Sequence, residues 1–529
     1  MESLIVPVLN LDGLSKEELK AMLLQQQAEL FSYKAQIESL KLQLIKLRRL
    51  QFGNRSEKRE REIAQLELWV EELETADAQH IYERAAKMGS TLAAAATKTR
   101  REFPSHLVRE TQTIAPQDIA CPSCSGELKH LGEDVCEMLE LEPVRFRVIR
   151  QVRPKLACAQ CDTIVQAPAP SRPIERGMAG PGLLAHVLVA KYGDHLPLYR
   201  QSEMYAREGV ELDRTLLAQW VGNVSALLRP LTDALKLHVF DTDVVHADDT
   251  PIPVLAPGNG KTKTGRLWTY VRDERPRAGE IAPAVWFAYS PDRKGEHPQR
   301  HLESFRGILQ ADGFAGFSKI YDGGQVLEAA CWAHVRRKFV DLHELHKSVL
   351  AEQMLDRIGA LYAVEKEIRG RSPDQRYAVR QEQSRPLLQA MKAWIDQQLR
   401  TLSQKSEMAK ALRYALNRWE ALERYAHDGR IEIDNNAAER ALRCVALGRK
   451  NFLFAGSDAG GERAAAIYSL IGSAKLNGHN PEAFLRDVLE RIADHPINRI
   501  SELLPWNLRI ANIDALGADG GTPQLQIEA

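Results

Sequence analysis

Val244-Val245-His246-Ala247-Asp248-Asp249-Thr250-Pro251-Ile252-Pro253-Val254-Leu255 is an apolar stretch holding two adjacent carboxylates. Its β-branched residues predict a strand. Two neighbouring acids inside a strand are costly unless something neutralises them. Outward from it, Leu267 to Arg272 and Ala284 to Ser290 read as further strands between Gly- and Pro-bearing turns. A fourth ends at Leu309-Gln310-Ala311-Asp312, followed by a glycine turn at Gly313. Much later, Ile433-Asp434-Asn435-Asn436-Ala437-Ala438-Glu439-Arg440 opens a helix, with Asp434 or an Asn as cap and Glu439 in its first turns.

An acid on the first strand, an acid on the fourth and a glutamate on a later helix is the layout of an RNase H-like fold. The expected fold class is therefore multidomain α+β, with an RNase H-like mixed α/β catalytic core. Asp248, Asp312 and Glu439 are the candidate catalytic residues and ligands of Mg²⁺ or Mn²⁺, since three carboxylates supply hard oxygens. Two such ions about 3.5–4 Å apart can clamp the attacking and leaving oxygens of a phosphoryl displacement. Each residue also has a plainer reading. Glu439 and Arg443 are spaced for a helix salt bridge, Asp312 before Gly313 suits a turn, and Asp248 can cap a loop. From about His346 to Tyr425 the pattern is helical, with Leu350, Met354, Ile358, Leu361 and Ile368 on one face. The 126 residues between Asp312 and Glu439 thus predict a helical insertion. Gly260-Lys261-Thr262 hints at a phosphate loop, but Leu255 stands where its first glycine belongs, so it reads as a hairpin loop.

Cys121-Pro122-Ser123-Cys124 and Cys158-Ala159-Gln160-Cys161 form two matched knuckles separated by 33 residues, room for a hairpin or two. Four thiolates at that spacing predict one structural Zn²⁺. Cys136, Cys331 and Cys444 are expected to be buried thiols. Between the knuckles, Arg145, Arg147, Arg150, Arg153 and Lys155 fall in an eleven-residue stretch without an acid. They are candidate phosphate contacts, or arginines that protect a strand edge. Arg336, Arg337 and Lys338 follow another apolar stretch and are read the same two ways, as DNA contacts or a solvated helix face. The helical block around Leu216, Trp220 and Val221 suits a helix-turn-helix or ordinary three-helix packing.

Near the start, Ser15 and Glu18 form a capping box. Leu19, Leu23, Leu30, Tyr33, Ile37, Leu40, Leu44 and Leu47 then recur in heptad steps interrupted by Gln26. The seam predicts a coiled coil and a homo-oligomer, or an amphipathic helix packing on its own protein. The basic run from Arg55 to Arg59 reads as a phosphate contact or a solvated helix end. Lys+Arg and Asp+Glu balance at 71 each, so any nucleic-acid surface must come from local clustering. No apolar run approaches the roughly 18 residues of a membrane span. With no basic leader before Leu4, a cytoplasmic, reducing setting is the expectation.

These motifs together resemble the transposases of the insertion-sequence 66 family, of the TnpC type. The resemblance is carried by Phe52 to Lys58, the two cysteine knuckles, Tyr192 to Arg200, Ala247 to Pro251, Gln310 to Gly313, Cys331 to Lys338, Ile433 to Arg443, Arg449 to Ser457 and Leu476 to Pro481. It implies an Asp-Asp-Glu enzyme acting on double-stranded DNA, nucleoid-associated when bound, with catalytic acids at Asp248, Asp312 and Glu439 and element-encoded helper proteins as partners. Asp249 departs from it, standing where glutamate is expected. The expected division is a leucine-zipper-like coiled coil and helix over 14–88, a linker over 89–110 and a zinc-binding module over 111–175. Helices at 180–238, a catalytic domain at 240–456 with its insertion at about 345–430, a helical C-terminal domain at 457–505 and a disordered tail at 510–529 follow. A catalytically inactive, zinc-dependent DNA-binding remnant and a structure-specific nuclease are the rival readings.

Overall fold

The computed structural model describes residues 36–40, 43, 70, 73–79, 103–116, 120–142, 145–175, 177–255, 262–448 and 455–508. The Ser15 capping box, most of the heptad seam, the basic run at 55–59, residues 89–102 of the expected linker, Gly260-Lys261 and the 510–529 tail lie outside them. Within them the chain is mixed α/β with two sheets. Among the described residues no helix is long and apolar enough to cross a membrane.

The first sheet is built on one long hairpin, β2 (Leu128–Glu142) against β3 (Arg145–Cys158). On the other edge of β3 lie β1 (Val108–Thr113), parallel to it, and the short antiparallel β4 (Ile164–Gln166). β1 begins inside the stretch read as a linker, because a parallel partner 39 residues away is invisible to local pattern. Near the far end of β2, Glu140 is buried and accepts hydrogen bonds from the backbone amides of Gly182 (3.1 Å) and Leu183 (2.6 Å). Those amides open helix α1 (Pro181–Tyr192), where unpaired N–H groups favour an anion. A Cβ at Gly180 or Gly182 would lie 2.5–2.6 Å from the Glu140 carboxylate. The Gly180-Pro181-Gly182 sequence is thus the seat on which the first sheet docks.

Helices α2 (Leu198–Arg207), α3 (Arg214–Leu227) and α4 (Arg229–Phe240) complete a helical layer. Helical residues 73–79 lie against α3: Glu74 accepts from Thr215 Oγ1 (2.9 Å), and a Cβ at Gly222 would meet the Thr75 carbonyl at 2.3 Å. That face of α3 is therefore filled by protein.

The second sheet has β5 (Val244–Leu255) at its centre. β6 (Thr262–Arg272) and β7 (Ala284–Ser290) continue it antiparallel on one side, and β8 (Gly307–Ala311) and β9 (Val326–Ala330) run parallel to β5 on the other. The order is β7-β6-β5-β8-β9. Pro251 and Pro253 lie beyond the four residues of β5 that pair with β8, where a missing N–H breaks no ladder. Alternation along the strands splits the apolar residues between two cores. Val245 and Leu309 enter a core shared with α1–α4, whereas Val244 and Ile308 enter a second one.

That second core belongs to the insertion: α5 (Trp332–His346), α6 (Val349–Ile368), α7 (Pro373–Val379), α8 (Arg385–Thr401), α9 (Glu407–Leu416) and α10 (Trp419–His427). Trp332, Phe339, Met354, Ile358, Leu361, Ile395 and Leu412 are buried in it. Arg380 is fully buried and bidentate on Glu365 (2.6 and 2.7 Å), and it also donates to the carbonyls of Tyr425, Asp428 and Ile431. The insertion thereby grips the segment leading into α11 (Asn436–Gly448). Finally α12 (Asp458–Leu476) lies along the edge strand β7. Ser473 and Ser469 accept from the amides of Val285 (3.0 Å) and Phe287 (2.8 Å), which leaves less of that edge open to a foreign strand. α13 (Pro481–Arg491) then packs on α1.

Candidate active site

The parallel register pairs Ala247 of β5 with Ala311 of β8, so the next residue on each strand is an aspartate. One carboxylate oxygen from each of Asp248, Asp249 and Asp312 lies within 4.8 Å of the others. Asp312 Oδ1 accepts from the Phe314 amide at 3.1 Å, which fixes the turn. Gly313 is needed for a reason beyond the turn. The Arg418 guanidinium lies over it, donating to its carbonyl at 2.8 Å, and a Cβ there would sit 2.2 Å from Arg418 Cζ.

The three aspartates are not equivalent. Asp249 is buried, with 1% of its side chain exposed, between Arg266 (2.9 Å) and Arg293 (2.7 and 3.1 Å). It is already neutralised. Asp248 receives its carboxylate hydrogen bond from the Asp249 amide at 2.7 Å. Burial, together with the charges of Asp312, Asp249 and Glu439, pushes its carboxyl up to about 7. Arg293 reaches Asp312 only at 3.6 Å. Asp248 and Asp312 therefore lack the counter-charge that Asp249 has, and Asp249 is a structural lock. Asp249→Ala is expected to cost about 2–4 kcal/mol, below the full buried-pair value because both guanidiniums reach solvent. Urea unfolding of the metal-free protein measures this, and a change under about 0.5 kcal/mol, the level of ordinary surface substitutions, would contradict the lock.

Glu439 comes from the other side, on α11, which lies across β5 and β6. The preceding segment is stitched to both aspartate strands. Asn435, fully buried, donates to the Ala247 carbonyl (2.8 Å) and pairs with His246 Nδ1 (3.1 Å). Burial holds the His246 pKa down, so its imidazole is neutral. Gln310 of β8 donates to the Glu432 carbonyl (2.6 Å) and accepts from its amide (3.3 Å). Asp434 accepts from the Asn436 amide at 3.1 Å, so the helix start carries an acid cap. The ion-pair partners of Glu439 among the described residues are Arg337 (3.5 Å) and His334 (3.8 Å), not Arg443. Its nearest group of ligand atoms is with Cys331 and His334, apart from the aspartate group. Its charge nonetheless contributes to the raised pKa of Asp248.

The basic candidates differ in how far they are already paired. Arg336, Arg337 and Lys338 are exposed on α5; Arg337 faces Glu439, and the Lys338 ammonium lies 4.3 Å from the Tyr414 ring centre. On β3, Arg147 pairs with Glu110, Arg153 with Asp134 (3.5 Å) and Lys155 with Asp134 (2.6 Å). Arg145 is exposed, and Arg150 stands opposite Glu137 in the sheet register. Arg266, Arg293, His334 and Arg418 were not singled out as individual site residues in the sequence. Only His246 and Gln310 carried a signal there, as polar residues two positions before each aspartate on a buried strand.

The four knuckle cysteines converge. Cys121 and Cys161 Sγ are 3.4 Å apart, Cys124 and Cys158 3.4 Å, and Cys124 and Cys161 3.3 Å. These separations far exceed an S–S bond of about 2.05 Å. They approach the roughly 3.8 Å edge of a tetrahedron with Zn–S bonds of about 2.3 Å. The residue after each knuckle, Ser125 (φ 59°) and Asp162 (φ 54°), is left-handed, so both turns bend the same way. The donor set fits a structural Zn²⁺ at the open end of the β2–β3 hairpin. Of the other thiols, Cys331 is buried and Cys136 and Cys444 are half-buried.

Compared with protein families, residues 176–463 match the model described as "Transposase IS66 family". Residues 118–162 match the "zinc-finger binding domain of transposase IS66" and residues 469–506 the "IS66 C-terminal element". Residues 39–111 match "Transposase C of IS166 homeodomain". Among curated proteins, the uncharacterized protein y4hP of Sinorhizobium fredii is 42% identical over 497 residues, 90% of each chain. The uncharacterized protein y4qI of the same organism is 40% identical over 484 residues, 89% of this chain and 88% of that one.

Proposed function

Because the chain belongs to the transposase IS66 family and carries a zinc-binding module, we propose that it cuts and rejoins DNA at element ends with Asp248, Asp312 and Glu439 as an Asp-Asp-Glu site. The observation that carries this reading is the pairing of Ala247 with Ala311, which sets two under-neutralised aspartates side by side. The sheet supports an RNase H-like core: three antiparallel strands, then two parallel to the first, in the order third, second, first, fourth, fifth. The helical insertion then separates the fourth and fifth strands from the glutamate helix. We read the zinc module, the helical layer, this core and the C-terminal helices as separate domains, and the heptad segment as the oligomerisation element. Element-encoded helper proteins fit the same reading.

Asp248, Asp312 and Glu439 would hold Mg²⁺ or Mn²⁺, which would activate a water or a DNA 3′-hydroxyl as nucleophile and stabilise charge on the leaving oxygen. Asp249 holds Arg266 and Arg293 beside the site, so its own charge is spent on position rather than on a ligand. We read exposed Arg337, next to Glu439, and its neighbours Arg336 and Lys338 as phosphate contacts. No Ser or Tyr nucleophile is required, since no protein–DNA bond forms. The test is supercoiled DNA carrying the element's ends, incubated with protein and Mg²⁺. Joined products support transposition. Cutting without joining favours a structure-specific nuclease, and binding alone favours an inactive remnant.

The pH dependence follows from Asp248. Its carboxyl keeps a proton up to about pH 7, so a divalent ion binding there displaces one. Mn²⁺ affinity is expected to rise with pH until about 7 and then level off. A flat titration through that range in calorimetry would contradict the assignment. In the metal-free protein the folded state binds more protons than the unfolded chain between about 3.9 and that raised value. This contribution to stability is fully present below the window and lost as pH rises through it.

A further inference from the structure

His334 Nδ1 and Glu439 Oε1 are both shut off from solvent, and neither has a hydrogen-bond partner. They face each other at 3.8 Å, too far for a hydrogen bond. Two orphaned polar atoms in one place are costly and call for an explanation. A cation between them resolves both. With bonds of about 2.1 Å to nitrogen and oxygen, ligand atoms about 3.0–4.2 Å apart span the angles from right to straight, and 3.8 Å falls inside that range.

The surroundings hold this pair rigidly. His334 lies in the first turn of α5, whose opening amide at Trp332 donates to the Ile433 carbonyl (3.1 Å). Cys331 Sγ accepts from the Asn435 amide (3.2 Å), tying the start of α5 to the start of α11. With that bond made, the sulfur serves as an anchor between the two helix starts. Arg337, one turn on, faces Glu439 Oε2 at 3.5 Å and leaves Oε1 to His334.

We propose that His334 is a ligand of the divalent ion at the catalytic centre, sharing it with Glu439 on the α11 side of the site. The proposal rests on the Asp-Asp-Glu reading above. An imidazole nitrogen among carboxylates makes the site better suited to Mn²⁺ than to Mg²⁺, because hard oxygen shells favour the latter.

The test uses the full chain with one equivalent of Mn²⁺, read by pulsed electron paramagnetic resonance for a directly bound ¹⁴N and by titration for affinity. Wild type is expected to show the nitrogen coupling. His334→Asn keeps an oxygen donor near the same place, so it is expected to bind Mn²⁺ on the order of tenfold more weakly and without that coupling. His334→Ala should weaken binding further, with far-UV circular dichroism confirming an intact fold. Coupling that persists in His334→Asn assigns the nitrogen to another residue and overturns the proposal. So does its absence from wild type when Asp312→Asn still removes the Mn²⁺, although the acid site then stands. Equal Mn²⁺ binding by wild type, Asp312→Asn and Glu439→Gln removes the acid-site reading and this ligand with it.

Discussion

Asp312→Asn is expected to lower both strand cleavage and strand joining by at least about a thousandfold, about 4 kcal/mol in activation free energy. The substitution keeps shape and removes one charge. The Phe314 amide can still be accepted by the Asn oxygen, so the turn before Gly313 survives. Affinity for DNA should stay within about twofold of wild type, because Asp312 contributes no positive charge to phosphate binding. Thermal stability should hold or rise, since Asp248 loses one of the like charges that push its carboxyl up. Gel-resolved cleavage and joining, fluorescence anisotropy on end DNA, and a melt together give an unambiguous pattern. Activity within tenfold of wild type would sink the assigned chemistry.

Cys158→Ser is expected to unfold the zinc module outright. Structural Zn²⁺ contributes apparent binding free energies of about 10–16 kcal/mol in zinc-finger peptides. The β2–β3 hairpin has much of its length outside either apolar core. Elemental analysis should fall from one zinc per chain to none, and amides across 128–158 should lose their protection from hydrogen exchange. The sheet bearing the aspartates has its own two cores and should keep its protection. The damage should reach one place beyond the module: the first amides of α1, which lose the Glu140 cap. Full hairpin protection without zinc would show that the metal is dispensable to the fold.

How much of this was legible follows from distance along the chain. Asp248 and Asp312 could be found because each belongs to an apolar strand, where a carboxylate is out of place. Glu439 could be placed on a helix start from Asp434 and its asparagines. What local pattern cannot hold is the pairing between elements. The neutralising partners of Asp249 lie 17 and 44 residues away, on β6 and past β7, and become neighbours only once the strand order is known. The arginines of β3 read as a free basic stripe because no acid interrupts them. Their acids come from β1 and β2, through Glu110 and Asp134. Arg380 is the reverse case: in a polar helical stretch it suggests a solvent face, yet it is fully buried on Glu365. The CxxH spacing of Cys331 and His334 lies within the Cys331 to Lys338 motif, and its meaning depends on α11 arriving opposite.

The insertion between β9 and α11 also sets a schedule. Chains grow at about 5–20 residues per second, so Glu439, 127 residues after Asp312, is made about 6–25 s later. The contacts that seat it, through Asn435 and Glu432, are synthesised only after all of α5–α10. A nascent or prematurely ended chain thus carries two aspartates without the helix that closes over them. Under the proposed Asp-Asp-Glu chemistry, that order of synthesis would work as an interlock, since an unfinished copy would lack its third acid.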